Sequence, residues 1–160
     1  MYLLKSFFFI ILPSIKRIIY MQINEIKYLS TTDIQDIQSL LTTLSPNSSF
    51  SKENLNSLLR SPESHLYGLY DQDKLIGCCC LGIYHSITGK KACLEDVVVL
   101  PEYQGQGGGR MLVSYATEEA RRQGVSQLLF TSKPSRIKAN RLYQSMDFEK
   151  KETNVYIKKW

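Results

Sequence analysis

Val97-Val98-Val99-Leu100-Pro101-Glu102-Tyr103-Gln104-Gly105-Gln106-Gly107-Gly108-Gly109-Arg110 is the stretch on which the fold turns. Three valines and a leucine that stop at a proline predict the end of a strand, because β-branched residues favour pleated backbone and proline cannot donate to a ladder. Glycine then fills positions 105, 107, 108 and 109, removing the side chains that would keep a ligand at a distance. Behind the glycines, Met111, Leu112, Tyr115, Ala116 and Ala120 recur at helical spacing. A strand, a glycine turn and a helix start in that order make an anion site. The first helical N–H groups have no acceptor within the helix, and the helix dipole favours phosphate.

The spacing excludes the two commonest phosphate loops. A Walker A loop requires G-x-x-x-x-G-K-[ST], and no Lys-Ser or Lys-Thr follows these glycines. A dinucleotide fingerprint beginning at Gly105 requires glycine at 110, where Arg110 stands. A cation in the first helical turn opposes the dipole, at roughly 0.3–1 kcal/mol on an exposed site, and a bound pyrophosphate reverses that sign.

Working outward, Ile23–Tyr28 alternates apolar and polar residues and predicts a strand. Thr32-Asp33-Ile34-Gln35 fits a capping box, and Ile34, Ile37, Leu41 and Leu44 then follow at helical spacing, predicting a helix over Thr32–Leu44. Ser51 predicts the cap of a second helix that buries Leu55, Leu58 and Leu59 and closes at Ser61-Pro62. His65–Tyr70 and Lys74–Tyr84 flank the polar turn Asp71-Gln72-Asp73 as a hairpin, and Lys91–Leu100 follows the Ser86–Lys90 loop as the next strand. After the glycine loop, Glu118 and Arg122 pair at i,i+4, and Gly124 ends the helix as a left-handed cap. Leu128–Thr131 predicts a short strand, Arg136–Met146 a helix, and Phe148–Lys151 and Asn154–Lys158 closing strands. The order β-α-α-β-β-β-α-β-α-β is an α/β arrangement around one mixed sheet, within a single domain spanning 21–160.

With 160 residues, 43% hydrophobic and 22% charged, the chain has the composition of an ordinary globular domain. Its net charge of +5 draws on Lys5, Lys16 and Arg17; without the first twenty residues, 17 basic residues face 15 acidic ones. The remaining charges are interspersed, whereas a nucleic-acid surface needs a concentrated basic patch, so no nucleic-acid partner is expected. The apolar run Phe7–Leu12 is far short of the ~20 residues that span a bilayer, and no small-x-small cleavage site follows it. Residues 1–20 are therefore expected to be an upstream extension ahead of Met21, with a peripheral membrane anchor as the alternative. Cys78-Cys79-Cys80 and Cys93 lack the CxxC spacing of a zinc site, and His65 and His85 lie far apart, so no metal is expected. The cysteines read as strand filler in a reduced, cytoplasmic protein.

Gln104-x-x-Gly107-x-Gly109 resembles the [RQ]-x-x-G-x-[GA] signature of the GNAT superfamily of acyl-CoA-dependent N-acetyltransferases, and Asn140-Arg141-Leu142-Tyr143 with Phe148 is similar to that family's later N-x-x-Y…F element. The likeness follows the element order from about Ile23 to Lys158 and is specific from Leu94 to Phe148. It implies the GNAT fold, a mostly antiparallel mixed sheet with helices on both faces, and acetyl-CoA as cosubstrate. It implies that the strand bearing Val97, Val98 and Val99 splays from its neighbour to pair with the pantetheine arm. Gln104, Gly105, Gln106, Gly107, Gly108, Gly109 and Arg110 would form the cofactor loop, with backbone N–H groups on the pyrophosphate. Asn140 would reach the pantetheine or thioester region, and Tyr143 would protonate the departing thiolate.

An amine attacks a thioester only when neutral, and a free alkyl ammonium has a pKa of about 10. A base is therefore needed. Glu95 and Asp96, on the strand beside the expected thioester, are the nearest carboxylates in sequence, with Glu95 the candidate base or substrate anchor. The acceptor is expected to be a primary amine on a small molecule or peptide, held by the first two helices, the Ser86–Lys90 loop and the C-terminal strands, with Tyr103 and Tyr156 as candidate lining residues. A homodimer is admitted. A coenzyme A-binding regulatory module without turnover is the alternative function. Two residues depart from the family pattern. Gly108 replaces an apolar residue and is expected to loosen the loop. Asp147 replaces a glycine before Phe148 and is expected to keep the left-handed turn.

Overall fold

The computed structural model describes residues 8–10, 19–46 and 50–160. Two compact units, residues 1–130 and 131–160, make up the chain. The first contains β1 (Phe8–Ile10), β2 (Ile19–Glu25), α1 (Thr31–Leu44), α2 (Lys52–Arg60), β3 (Ser64–Asp71), β4 (Lys74–Ser86), β5 (Gly89–Val99), a 3-10 turn (Pro101–Tyr103), α3 (Gly108–Arg122) and β6 (Gln127–Leu129). The strands form one sheet in the order β1-β2-β3-β4-β5-β6. Every neighbouring pair is antiparallel except β5 with β6, which is parallel. The expected α/β architecture is therefore present, with differences at both ends.

At the start, β2 begins at Ile19 rather than Ile23, because β1 supplies a partner through Phe8↔Met21 and Ile10↔Ile19. The rest of the expected extension, residues 1–7 and 11–18, lies outside the described residues, and so do the anchor and leader readings made on it.

Helix α1 is capped two residues earlier than Thr32. Ser30 Oγ accepts the Asp33 amide at 3.0 Å, and Asp33 Oδ2 accepts the Ser30 amide at 2.9 Å. A carboxylate in the first turn also meets the positive end of the helix, which the amide of Gln35 in the expected box would not. Ile37 and Leu40 are the buried residues of α1, so its apolar stripe is rotated slightly from the expected one. Helix α2 has the expected cap, Ser51 Oγ accepting the Asn54 amide at 3.2 Å, but of the three expected leucines Leu55 is buried while Leu58 and Leu59 are half-buried.

The two faces of the sheet carry different helices. Tyr67 meets Tyr115 of α3 edge to face, with ring centroids 5.1 Å apart, while Tyr70, on the opposite parity, approaches Asp33 of α1 at 3.5 Å. Leu40, Leu69, Ile76, Leu81, Leu112 and Val113 are each 0% exposed, and burying a side chain of this kind contributes about 1.5–3 kcal/mol. Cys78 and Cys79 are buried free thiols, which is the strand-filling role expected of them. Helix α3 closes at Gly124 with φ +73°, its amide donating to Arg121 O at 3.0 Å.

The second unit holds α4 (Ile137–Gln144). Asp147 sits at φ +62° and keeps the left-handed turn expected of it. The turn lets the Phe148 amide donate to Tyr143 O at 3.1 Å and sets the two rings edge to face, 6.3 Å apart. The expected closing strands Phe148–Lys151 and Asn154–Lys158 do not form. Val155, Tyr156 and Ile157 are 72%, 88% and 80% exposed. Their strand propensity is real, but propensity acts through packing against cross-strand neighbours, and these residues have no ladder among the described residues.

Gly108, expected to loosen the loop, does the reverse. It is the first residue of α3 and is buried, and a Cβ there would lie 2.7 Å from Leu69 Cδ2, with Met21 Sδ and Val99 Cγ1 both at 3.6 Å. The missing side chain lets the helix start rest directly on the sheet. Gly108→Ala is expected to lower unfolding free energy by about 1–3 kcal/mol through overpacking, measured by urea denaturation; an unchanged midpoint would show that Leu69 yields freely.

Candidate active site

Strand β5 is where the site begins. Its register with β4 runs Cys80↔Glu95 and then Cys78↔Val98, so Asp96 and Val97 together face the single residue Cys79. This is a β-bulge, and Asp96 takes φ +53° to make it. On the other side, β6 pairs only with Lys91, Ala92 and Cys93. Beyond Cys93 that edge of β5 has no ladder partner among the described residues. A short β6 and a bulged β5 thus leave residues 94–99 without a ladder on that side among the described residues. Val98 and Val99 are buried and Val97 half-buried, which leaves the strand edge itself as the usable surface.

The chain then turns through Pro101–Tyr103 into the glycine loop. Gln104 donates Nε2 to Val99 O at 2.9 Å, so its side chain braces the strand end to the loop. Gln106 donates Nε2 to Glu102 O at 3.0 Å, while its Oε1 is buried without a hydrogen-bond partner among the described residues. Gly105 and Gly107 adopt φ +77° and +88°, and Gly107 is the residue that caps α3. Intrahelical bonding starts with the Met111 amide on Gly107 O at 3.0 Å. The earlier amides of the first turn therefore point out of the helix N-terminus, the arrangement that accepts phosphate oxygens. A Cβ on Gly105 would meet nothing within 4 Å, so this surface is bare. Bare glycines, outward amides and an orphaned acceptor at Gln106 Oε1 together fit a phosphate-bearing ligand with amide groups of its own. Arg110 is exposed in the first turn.

Glu95 and Asp96 are both exposed. The carboxyl of Asp96 is held above the ordinary aspartate range, first by partial desolvation at the bulge and then by the neighbouring Glu95 carboxylate. Cys93 Sγ donates to Glu95 Oε1 at 2.9 Å. Sequence reasoning paired Glu95 with Asp96 but missed this contact, although Cys93 and Glu95 stand two apart on a strand and so share a face. It also missed the bulge, whose only signal is an aspartate inside a β-branched run.

In the second unit, Asn140 and Tyr143 lie on α4. The side-chain amide of Asn140 donates to Lys133 O at 2.9 Å and to Arg136 O at 3.0 Å, holding the connection into α4 and leaving Oδ1 as its remaining polar atom. Tyr143 is half-buried against Phe148. Tyr103, a candidate lining residue, is instead buried at 6% exposure beneath Lys74, whose Nζ lies 5.5 Å from the ring centroid. Tyr156 is 88% exposed. A cavity of about 800 Å³ is lined by residues of the first two helices and the ends of β2 and β3, among them Ile34, Lys52, Arg60 and His65, but not by Glu95 or residues 86–90. Among the described residues no group of three or more His, Cys, Asp or Glu could hold a metal ion, and no helix is long and apolar enough to cross a membrane.

A strand whose edge beyond Cys93 has no ladder partner among the described residues thus runs into a glycine turn at a helix start. The acetyltransferase (GNAT) family model matches residues 32–148, and the chain belongs to that family. Over 74 residues the chain is 37% identical to the thialysine N-epsilon-acetyltransferase of Mus musculus, a match covering 46% of this chain and 36% of that protein. It is 36% identical over 76 residues to the protein of the same name from Sus scrofa, covering 44% and 45% of the two chains. The matched part is thus less than half of either relative. In three dimensions the chain is similar to aminoglycoside N-acetyltransferase AAC(6')-Iy in complex with CoA, with a TM-score of 0.76, 17% identity, and coverage of 91% of this chain and 98% of that one. At that identity the likeness is one of fold.

Placing a side chain at position 107 opposes a left-handed backbone, at roughly 1–2 kcal/mol. Gly107→Ala is expected to weaken acetyl-CoA binding about tenfold, the equivalent of about 1.4 kcal/mol. Isothermal titration calorimetry checks this, and an unaltered Kd would remove the loop from the cofactor site.

Proposed function

We propose that this chain transfers the acetyl group of acetyl-CoA directly to a primary amine of a small molecule or peptide. The observation that carries the proposal is the unpaired edge of β5 leading, through the brace of Gln104 on Val99, to the outward amides at the start of α3. Glu95 pairs with Cys80 and Val99 with Gly77, three residues apart on β4, which sets the two about 10 Å apart at the strand rise. That distance suits an extended arm with its phosphates on the loop and its thioester beside Glu95. The relatives named above support an amine acceptor, since two are thialysine and one is an aminoglycoside N-acetyltransferase.

In this proposal the backbone edge at Val97, Val98 and Val99 orients the pantetheine arm, and residues 104–110 hold the pyrophosphate. Glu95 takes a proton from the ammonium, or from the addition intermediate, as the nitrogen–carbon bond forms. Tyr143 gives its phenolic proton to the sulfur as the carbon–sulfur bond breaks, and Asn140 offers Oδ1 to the arm. Residues 21–160 constitute the core of the catalytic domain, and β1 with the first residues of β2 continues the edge of its sheet. Four free cysteines support a reducing, cytoplasmic setting.

Calorimetric titration with acetyl-CoA, followed by an amine panel with free-thiol detection, tests the activity; binding without thiol release from any amine would favour a regulatory coenzyme A-binding module. Removing a positioned general acid or base typically lowers turnover by 10²–10⁴-fold. Tyr143→Phe and Glu95→Gln are each expected to reduce kcat by roughly 10²-fold or more while leaving the acetyl-CoA Kd unchanged. A Tyr143→Phe enzyme with full turnover would show that another group protonates the thiolate.

A further inference from the structure

Glu95 does not stand alone on its strand. Cys79 faces α3, with Sγ 3.9 Å from Leu112 O, so Cys80 points to the opposite face, and Glu95, its cross-strand partner, points with it. Cys93, two residues before Glu95, shares that face and donates Sγ–H to Glu95 Oε1 at 2.9 Å. The carboxylate is therefore flanked by one thiol across the ladder and gripped by another along the strand.

We propose that Cys93 is a positioning residue whose thiol pins Oε1 of Glu95 and leaves Oε2 as the oxygen that meets the acceptor amine. The inference rests on Glu95 acting as the base or substrate anchor proposed above. A strand glutamate has three rotatable side-chain bonds, and fixing one carboxylate oxygen removes most of that freedom before the amine arrives. A donor on Oε1 also stabilises the ionised carboxylate, the form that accepts a proton. The thiol can serve only while it keeps its hydrogen. Burial, then the hydrogen bond to Glu95, then the Glu95 charge push Cys93 up to about 12, so it remains a donor throughout the physiological range. The same protonation makes Cys93 a poor nucleophile, because the thiolate is the reactive form.

Few other groups compete for this carboxylate. Asp96 is its acidic neighbour on β5, and Cys80 across on β4 is pushed up to about 12 by burial and then by Asp96 and Glu95. Helix α1, which packs on β4 and β5, brings Asp33 and Asp36 and has no basic residue. Arg110, Glu118, Glu119, Arg121 and Arg122 belong to α3, on the opposite face of the sheet. None of the ion pairs found among the described residues includes Glu95.

The test compares Cys93→Val with Cys93→Thr. Both suit a strand and match in shape, but only threonine retains a donor. The Glu95 carboxyl is followed by carbon-13 NMR at neutral pH in protein labelled at glutamate, its resonance assigned by loss in Glu95→Gln. Cys93→Val is expected to displace that resonance from its wild-type position, and Cys93→Thr to leave it near wild type. If Cys93→Val fails to fold, Cys93→Ala replaces it in the comparison. With an active amine, kcat is expected to fall in Cys93→Val and to be kept in Cys93→Thr, while KM for acetyl-CoA stays fixed. Equal changes in the two variants, or none in either, would overturn the assignment. If wild type acetylates no amine, the proposed activity fails, and the NMR comparison still decides whether Cys93 holds Glu95.

Discussion

Opposite Cys79, strand β5 inserts two residues where β4 has one, and the geometry of the site descends from that mismatch. An extra residue in one strand of an antiparallel pair bends the strand and increases its twist. Here the bend falls where β6 has already stopped pairing, after Cys93↔Leu129. A straight β5 beside a longer β6 would bury the edge proposed above for the cofactor arm. The left-handed conformation of Asp96 is therefore tolerated for a reason: it separates Glu95, paired across to Cys80, from Val98, paired across to Cys78. The carboxylate and the edge proposed for the cofactor are thus neighbours along one strand without competing for one position.

The far end of β5 depends on close contact instead of strain. Helix α3 can begin directly beneath the strand end only because Gly108 brings its backbone against Leu69, Met21 and Val99. Gln104 adds a side-chain bond back to Val99 O, and the Leu100 amide bonds to Ile76 O at 2.9 Å. These contacts fix the loop from both sides, so its outward amides are aligned before any anion arrives. Prealignment matters for a phosphate site, because every donor that must be ordered on binding subtracts conformational entropy from affinity. A bulkier, apolar residue at 108 would lengthen the contact and lift the helix start away from the sheet.

Much of this was legible in local sequence. The hairpin over Asp71–Lys74, the caps at Ser51 and Gly124 and the turn at Asp147 each depend on a few neighbouring residues, and each formed as expected. What the sequence hid was set by competition between neighbouring caps or by distant partners. The cap of α1 fell on Ser30 because Asp33 could return a second hydrogen bond, a competition between two overlapping boxes that periodicity does not decide. Strand β2 extended to Ile19 because β1 was there to receive it. The Asn154–Lys158 segment has the composition of a strand, but pairing requires a partner that composition cannot name. The roles of Asn140 and Gln104 show the same limit: a motif identifies the residue, while its hydrogen bonds to Lys133, Arg136 and Val99 depend on where the backbone passes.

The cysteines bear on the choice between direct and two-step transfer. A covalent route would need a thiolate close to the thioester. Burial raises the thiols of Cys78 and Cys79 well above the ordinary range, and Cys80 and Cys93 are pushed up to about 12 by burial and by their acidic neighbours. Each carboxylate that surrounds the site makes thiolate formation harder, so Glu95 and Asp96 oppose covalent catalysis while suiting a cationic acceptor. An ammonium group arriving beside two carboxylates is attracted, and it must still lose a proton before it can attack. The proposed direct transfer would use both effects at one place: Glu95 and Asp96 would gather the amine, and one oxygen of Glu95, left open by the thiol on the other, would receive its proton.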